Sequence, residues 1–150
     1  MKIVFLTEEY LEPYVDYCRE ALSSDESEDL VFDHVCEEEV VKFLTDPFYQ
    51  NTKNLLAVEN GKVIGQLEYH FYGVLADHYR MAYVDWIHTL KSYRKQGVAR
   101  ALVARFEEEC CKQRINQYYL IQAENAKGFY DKFGEASSST ELILRKNICD

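Results

Sequence analysis

Several features that would define whole classes of protein are missing from this sequence. No apolar run in its 150 residues approaches the length needed to cross a bilayer, so we expect no membrane-spanning helix. No second glycine precedes a Lys-Ser or Lys-Thr pair, so a Walker-type triphosphate site is not expected. The five cysteines show neither metal-ligand spacing nor a paired framework, which predicts reduced thiols and no metal. They are Cys18, Cys36, Cys110, Cys111 and Cys149.

Targeting and domain signals are equally sparse. The first residues, MKIVFLTEEY, turn acidic too early for a signal peptide, so we expect a cytoplasmic protein. Hydrophobic residues at 47% and charged residues at 29% are typical of a globular chain. With no repeat, linker or low-complexity tract in view, residues 1–150 are most simply one domain.

The net charge of −9 is distributed unevenly along the chain. Residues 1–50 carry a net charge of −11, residues 51–100 carry +3, and the remainder carries −1. A protein that binds nucleic acid over its whole surface would not show this distribution. It permits a local anion site in the middle of the chain and a body that attracts cations.

Hydrophobic periodicity predicts the element order β-α-α-β-β-β-α-β-α-β. The Asn60-Gly61 pair inside NLLAVENGKVIGQLEYHFYGV is a strong hairpin signal. The apolar positions change to a helical period from Val98 onward. Together these patterns predict an α/β (α+β) fold with a mixed sheet, and they argue against a doubly wound dinucleotide fold.

The predicted start of that helix carries the clearest functional signal. Arg94, Lys95 and Arg100 surround Gly97, where a strand gives way to the helix. Unpaired N–H groups and the positive end of the helix dipole favour a phosphate, and glycine lets the backbone approach it closely. A diphosphate suits several donors better than a carboxylate does. The alternative is a solvated basic helix end whose glycine serves only the turn.

Two segments resemble the GNAT family of acyl-CoA-dependent N-acetyltransferases. RKQGVA (94–99) fits the family pattern Arg/Gln-x-x-Gly-x-Gly/Ala, and AKGFYDKFG (126–134) is similar to the family's Ala-x-x-Phe-Tyr-x-x-x-Gly helix. One predicted strand separates the two segments, as in the family. The resemblance implies a single GNAT-like domain with a mixed central sheet of about six to seven strands flanked by helices.

The resemblance also implies acetyl-CoA as co-substrate, and it assigns residues to its binding. The pyrophosphate would lie on the amides from Gln96 to Arg100, with basic side chains around it. The pantetheine arm would pair with the strand backbone like an added strand. The implied binding residues are Ile87, His88, Thr89, Arg94, Lys95, Gln96, Gly97, Val98, Ala99, Arg100 and Asn125.

Catalysis of amine acetylation requires a base, because an alkyl ammonium has to lose a proton before it attacks. Asp85 is the first candidate, since it interrupts an apolar strand, and a structural aspartate is the alternative. Glu68 is the second candidate and is otherwise expected to face solvent. Strand alternation predicts Asp85, Ile87 and Thr89 on one face, with His88 on the other as a packing residue. By the resemblance, Tyr130 would protonate the departing thiolate.

The acidic first third favours a cationic small-molecule amine as acceptor. An aromatic wall around such a cation could come from Tyr49, Tyr69, Tyr72, Tyr79 and Trp86. Alternatives are a protein or peptide amine, a catalytically silent acyl-CoA-binding or sensing module, and a phosphate-ligand protein unrelated to CoA. We expect no nucleic-acid or membrane partner, while an edge strand such as TELILRK could pair across a homodimer.

Overall fold

The computed structural model describes residues 1–24, 35–76 and 78–121, which form a mixed β-sheet with helices on both faces. The strands β1 to β5 comprise Lys2–Phe5, Thr52–Glu59, Lys62–Val74, Tyr79–Thr89 and Tyr118–Leu120. The helices α1 to α3 comprise Leu11–Ser24, Glu37–Thr45 and Val98–Lys112. Asn125, Tyr130 and the predicted edge strand TELILRK lie outside the described residues.

The sheet follows the chain order β1-β2-β3-β4-β5. The first three strand pairs are antiparallel, whereas β5 pairs with β4 in parallel after the crossover through α3. The predicted mixed sheet and the element order through β5 are confirmed. Five strands belong to the described part of the chain, somewhat fewer than the expected total.

The β2–β3 connection is the tight hairpin that Asn60-Gly61 predicts. Both residues have positive φ, 51° for Asn60 and 81° for Gly61, as a two-residue turn of this kind requires. Glu59 and Lys62 pair directly across it. The turn chemistry therefore determines the register with which β2 and β3 enter the sheet.

Two apolar layers cover the sheet, one on each face. Residues of α1 and α2 pack on the first face against β2 and β3 side chains such as Leu56 and Val63. Residues of α3, including Leu102 and Phe106, pack on the second face against a different set from the same strands, such as Leu55. The alternation of side chains along each strand produces these two layers. No helix in the described ranges has both the length and the apolar character needed to span a membrane.

A β-bulge interrupts β4 at Asp85. Glu68 of β3 pairs with Trp86, but the next residue, Tyr69, pairs with Val84, so Asp85 is the extra residue. Ile87 consequently packs with the α3 layer, while His88 reaches α1. The predicted placement of Asp85 on one face with Ile87 and Thr89 is wrong, because simple alternation does not continue through a bulge.

Gly65 lets the start of α3 lie directly against the end of β4. A Cβ atom on Gly65 would come within 3.0 Å of both the His88 carbonyl oxygen and Val98 Cγ1. Neither neighbour could yield easily, since one is backbone and the other is a buried side chain. The absent side chain thus allows the basic turn to sit beside the last residues of β4.

Candidate active site

The amino end of α3 presents a set of unpaired backbone donors. Gly97 is the N-cap with φ of 85°, no side chain caps it, and the first intrahelical bond runs from Ala101 N–H to the Gly97 carbonyl. The N–H groups of Val98, Ala99 and Arg100 therefore lack intrahelical acceptors. Apart from its chain neighbours, no atom of the described residues lies within 4 Å of the position that a Cβ on Gly97 would occupy. The helix end can accept an anion at close range.

Two side-chain hydrogen bonds fix the basic turn that precedes α3. Arg94 Nε donates to the Thr89 carbonyl at 3.1 Å, which ties the turn to the end of β4. The Gln96 side-chain amide donates to the Ser92 carbonyl at 2.9 Å and closes the turn internally. Lys95 has a φ of 64° and is exposed, as is Arg100. Lys95 and Arg100 thus place two exposed cationic side chains beside the amino end of α3.

Beyond the bulge, β4 has an open backbone edge. Strand β5 pairs with β4 only from Ala82 to Val84, and no other described strand continues along that edge. Leu90 N–H donates to the Ile64 carbonyl of β3, so alternation directs the backbone groups of Ile87 and Thr89 away from β3. Thr89 Oγ1 is buried and has no hydrogen-bond partner among the described residues. This edge leads to the amino end of α3.

A pocket of about 190 Å³ opens on the face of the sheet opposite α3, between the sheet and helices α1 and α2. Its lining combines apolar and aromatic side chains with two carboxylates, Glu39 and Glu68. The lining residues are Leu6, Tyr14, Val35, Glu39, Val40, Phe43, Tyr49, Asn54 and Glu68. Negative charge beside aromatic rings suits a cation.

Glu68 is a lining residue whose proton affinity is strongly altered. It is partly buried, and its Oε2 accepts a hydrogen bond from Asn54 Nδ2 at 3.2 Å. Burial, followed by the negative charge of Asp85, raises the pKa of Glu68 to about 7, while Asn54 and His70 act in the opposite direction. A carboxyl group in this state exchanges protons near neutral pH.

Asp85 occupies a different environment from the one the sequence suggested. Its side chain is 31% exposed and accepts a hydrogen bond from His70 Nδ1 at 2.8 Å. Asp85 is therefore paired at the surface of the sheet, whereas Glu68 lies in the pocket. The expectation that Glu68 would more often face solvent does not hold.

The five residues of the predicted aromatic wall do not lie together in the fold. Tyr49 lines the pocket, whereas Tyr69 is buried in the α3 layer. Trp86 packs with the α1 layer, Tyr72 contacts the rings of His70 and Tyr119, and Tyr79 is exposed. One of the five therefore contributes to the pocket lining.

Sequence reasoning missed Asn54, Tyr14 and Glu39. Asn54 is 3% exposed, and its Nδ2 also lies 3.4 Å from the Tyr14 hydroxyl and 3.3 Å from Gln66 Oε1. A polar residue opening the apolar run NLLAV was an available signal, since a buried amide needs partners. Tyr14 and Glu39 lie in ordinary helical patterns and carried no comparable signal.

A family model for the acetyltransferase (GNAT) family matches residues 6–134 of this chain. The match includes both segments that carried the resemblance. The chain belongs to the GNAT acetyltransferase family. A protein of Bacillus subtilis (strain 168) named "Putative acetyltransferase BSU40680" is 38% identical over 55 residues, which span 37% of this chain and 37% of that protein.

Solved structures share the fold of this GNAT protein. An aminoglycoside acetyltransferase from an uncultured soil metagenomic sample, in complex with trehalose, has a TM-score of 0.79 and 16% identity, covering 99% of this chain and 96% of that one. A ribosomal-protein-alanine N-acetyltransferase from Brucella melitensis biovar Abortus 2308 has a TM-score of 0.72 and 14% identity, covering 97% and 100%. At these identities the likeness concerns the fold of the acetyltransferase.

Proposed function

We propose that this GNAT protein transfers an acetyl group from acetyl-CoA to a primary amine, the amine belonging to a cationic small molecule. One structural relation carries the proposal. The open edge of β4 ends at the amino end of α3, and Glu68 of the acidic pocket pairs with Trp86, next to the first residue of that edge. A site for a phosphate-bearing donor and a site for a cationic acceptor therefore lie on either side of one strand.

The chain's own groups fit acetyl-CoA, which would supply the activated acetyl thioester. The N–H groups of Val98, Ala99 and Arg100 would bind the pyrophosphate, and the open space at Gly97 admits it. Lys95 and Arg100 would add positive charge. The outward backbone groups of Ile87 and Thr89 would pair with the pantetheine amides, as they would with an added strand.

Glu68 is the base that the geometry supports best. The acceptor enters as an ammonium and has to lose a proton to attack, so a proton acceptor must lie within the acceptor pocket. Glu68 lines that pocket, and its pKa of about 7 suits proton exchange at neutral pH. The Asp85 carboxylate is engaged by His70 at the edge of this region. Glu68 thereby replaces Asp85 as the first candidate.

Two further groups complete the proposed reaction. Ile87 N–H, on the open edge, would stabilise the negative charge that develops on the acetyl oxygen. Tyr130 would return a proton to the departing thiolate, a role supported by the family resemblance of AKGFYDKFG. Asn125 would contact the donor, a role that also rests on the family resemblance. The domain would extend over residues 1–150.

The acceptor proposal depends on the charge of the pocket. Glu39 provides negative charge, to which Glu68 adds in its deprotonated form, while Tyr14, Phe43 and Tyr49 provide ring surface for an alkyl ammonium. The proteins that share this fold include one named as an aminoglycoside acetyltransferase and one named as a ribosomal-protein-alanine N-acetyltransferase. A volume of about 190 Å³ suits one aminoalkyl arm of a small molecule.

A two-part assay tests the proposal. Calorimetry with CoA and acetyl-CoA measures donor binding, and thiol release with aminoglycosides, polyamines, neutral amines and amino-terminal peptides measures transfer. We expect binding of acetyl-CoA and fastest release with the cationic small molecules. Binding without release on any amine would instead favour a silent sensing module. Release with peptides alone would favour a protein acceptor, and absence of CoA binding would refute the whole assignment.

A further inference from the structure

His70 and Asp85 form a pair immediately beside Glu68. His70 lies two residues after Glu68 on β3, so both side chains extend from the same face of the sheet. His70 Nδ1 donates to Asp85 Oδ2 at 2.8 Å. The pair is about one-third exposed, with side chains 35% and 31% accessible. The pair lies outside the pocket lining, and both of its members act on Glu68 electrostatically.

The β-bulge is the reason that Asp85 reaches this position. An uninterrupted β4 would place alternate residues on opposite faces, and Asp85 and Trp86 could not share one face. In a bulge the two residues that oppose a single partner both lie on that partner's side. Asp85 and Trp86 oppose Glu68 in this way. The bulge thus adds one carboxylate to the Glu68 face without displacing Trp86.

Apart from the His70–Asp85 pair, most of the groups near Glu68 are neutral. Tyr14 and Cys18 approach from α1, Glu39 from α2 and Tyr49 from the turn after it. Asn54 of β2 is neutral and donates to the Glu68 carboxylate. Burial raises the pKa values of Tyr14 and Cys18, which keeps both groups neutral near pH 7. Among these neighbours, Glu39 and the His70–Asp85 pair are the ionisable groups with charge to exert.

We propose that the His70–Asp85 pair is a positioning pair that sets how readily Glu68 accepts the proton of the acceptor ammonium. This inference rests on the proposed function, in which one proton moves from the amine nitrogen to a Glu68 carboxylate oxygen before the amine attacks. Asp85 receives no proton in that step. Its charge favours the protonated form of Glu68, and His70 acts in the opposite direction.

Opposite shifts in two variants test the pair. Asp85→Asn removes the negative charge, so we expect the Glu68 titration midpoint to fall by about 0.5 to 1 pH unit. His70→Gln keeps a donor for Asp85 but removes the imidazole that lowers the pKa of Glu68, so we expect the midpoint to rise. In the double variant the two shifts should partly cancel, because Asp85 and His70 act on the Glu68 carboxyl separately and in opposite directions. Asp16→Asn, which breaks another exposed pair with Arg19, is the matched control.

Two measurements separate this inference from the proposed function. Carboxyl carbon NMR follows the protonation of Glu68 directly, and the pH dependence of kcat/KM follows its use in transfer. We expect the NMR midpoint and the acidic break of the rate profile to move together, with about a three- to tenfold rate gain for Asp85→Asn below the break.

Each remaining outcome is decisive. An NMR midpoint that stays unchanged in both single variants, or moves equally in Asp16→Asn, overturns the positioning role whether or not an amine is acetylated. A moved NMR midpoint with an unmoved rate break keeps the electrostatic role and removes Glu68 as the base, which contradicts the proposed function. Loss of turnover in Asp85→Asn but not in Glu68→Gln would make Asp85 the base and overturn both.

Discussion

The Tyr17 hydroxyl and His88 Nδ1 share a hydrogen bond of 2.6 Å that joins α1 to β4 across 71 positions of the chain. Both side chains are buried, and their rings meet edge-on with centroids 5.7 Å apart. The bond holds His88 on the α1 face, between two residues whose backbone forms the open edge. His88 is therefore a buried packing residue at the α1 face.

Replacing Tyr17 by phenylalanine should lower the free energy of unfolding by about 1 to 3 kcal/mol, because a bond between two buried polar groups is lost. Urea denaturation measures the change. Tyr79→Phe removes a hydroxyl from an exposed tyrosine on β4, the strand that contains His88, and serves as control. Equal stability of the two variants would show that the Tyr17–His88 bond contributes little.

Two glycines allow backbone strain to be separated from ligand binding. Gly97 and Gly61 have φ values of 85° and 81°, and a Cβ on either would meet no atom within 4 Å. Alanine at either position should therefore destabilise the fold by a similar amount, about 1 kcal/mol. Only Gly97→Ala should also weaken CoA binding, at least fivefold, because its methyl group would occupy the space assigned to the pyrophosphate.

Thermal unfolding and calorimetry with CoA check the two glycine variants in parallel. Gly61→Ala reports the cost of a left-handed alanine at the β2–β3 turn, which is remote from α3. CoA affinity that falls equally in both variants would attribute the effect to general destabilisation. Unchanged affinity in Gly97→Ala would place the pyrophosphate elsewhere.

The raised pKa of Glu68 predicts a pH-dependent loss of stability. Its folded value of about 7 exceeds its ordinary value of 4.5, so the folded state binds this proton more tightly than the unfolded state does. The free energy of unfolding should therefore decrease as the pH rises from about 4.5 to about 7. Glu68→Gln should remove this decrease and stabilise the protein at pH 8 by about 1 to 3 kcal/mol.

Urea titrations of wild type and Glu68→Gln at pH 4.5, 6 and 8 measure the effect. Glu8→Gln removes a carboxylate from an exposed position and provides the control. A gain that is the same at all three pH values would mean that burial does not disfavour the Glu68 carboxylate. The same Glu68→Gln variant should lose at least a hundredfold in kcat/KM if Glu68 is the base.

Tyr130→Phe should lower kcat at least tenfold while CoA affinity changes little, because the lost hydroxyl would act on the departing thiolate and not on the bound donor. Steady-state kinetics with the best acceptor and calorimetry with CoA test the two halves separately. Tyr79→Phe again serves as control. Equal turnover of Tyr130→Phe and wild type would remove this residue from the mechanism.

The sequence by itself determined the fold and the point at which α3 begins. Asn60-Gly61 specifies a two-residue turn, and Gly97 with its basic neighbours marks the start of α3, because both signals are local and depend on backbone geometry. Two short segments that fit one family then identified the fold, and the family match confirmed it. Local rules suffice where the neighbours in sequence are also the neighbours in space.

Only the tertiary structure distinguishes the environments of Glu68 and Asp85. The sequence places each acid in a strand, but a single extra residue at the bulge changes which face Asp85 occupies, and strand period alone does not reveal that register. The burial of Glu68 depends on α1 and α2, and its hydrogen bond comes from Asn54, 14 positions away. Proton affinity depends on such distant neighbours, so it is determined only when the chain has folded.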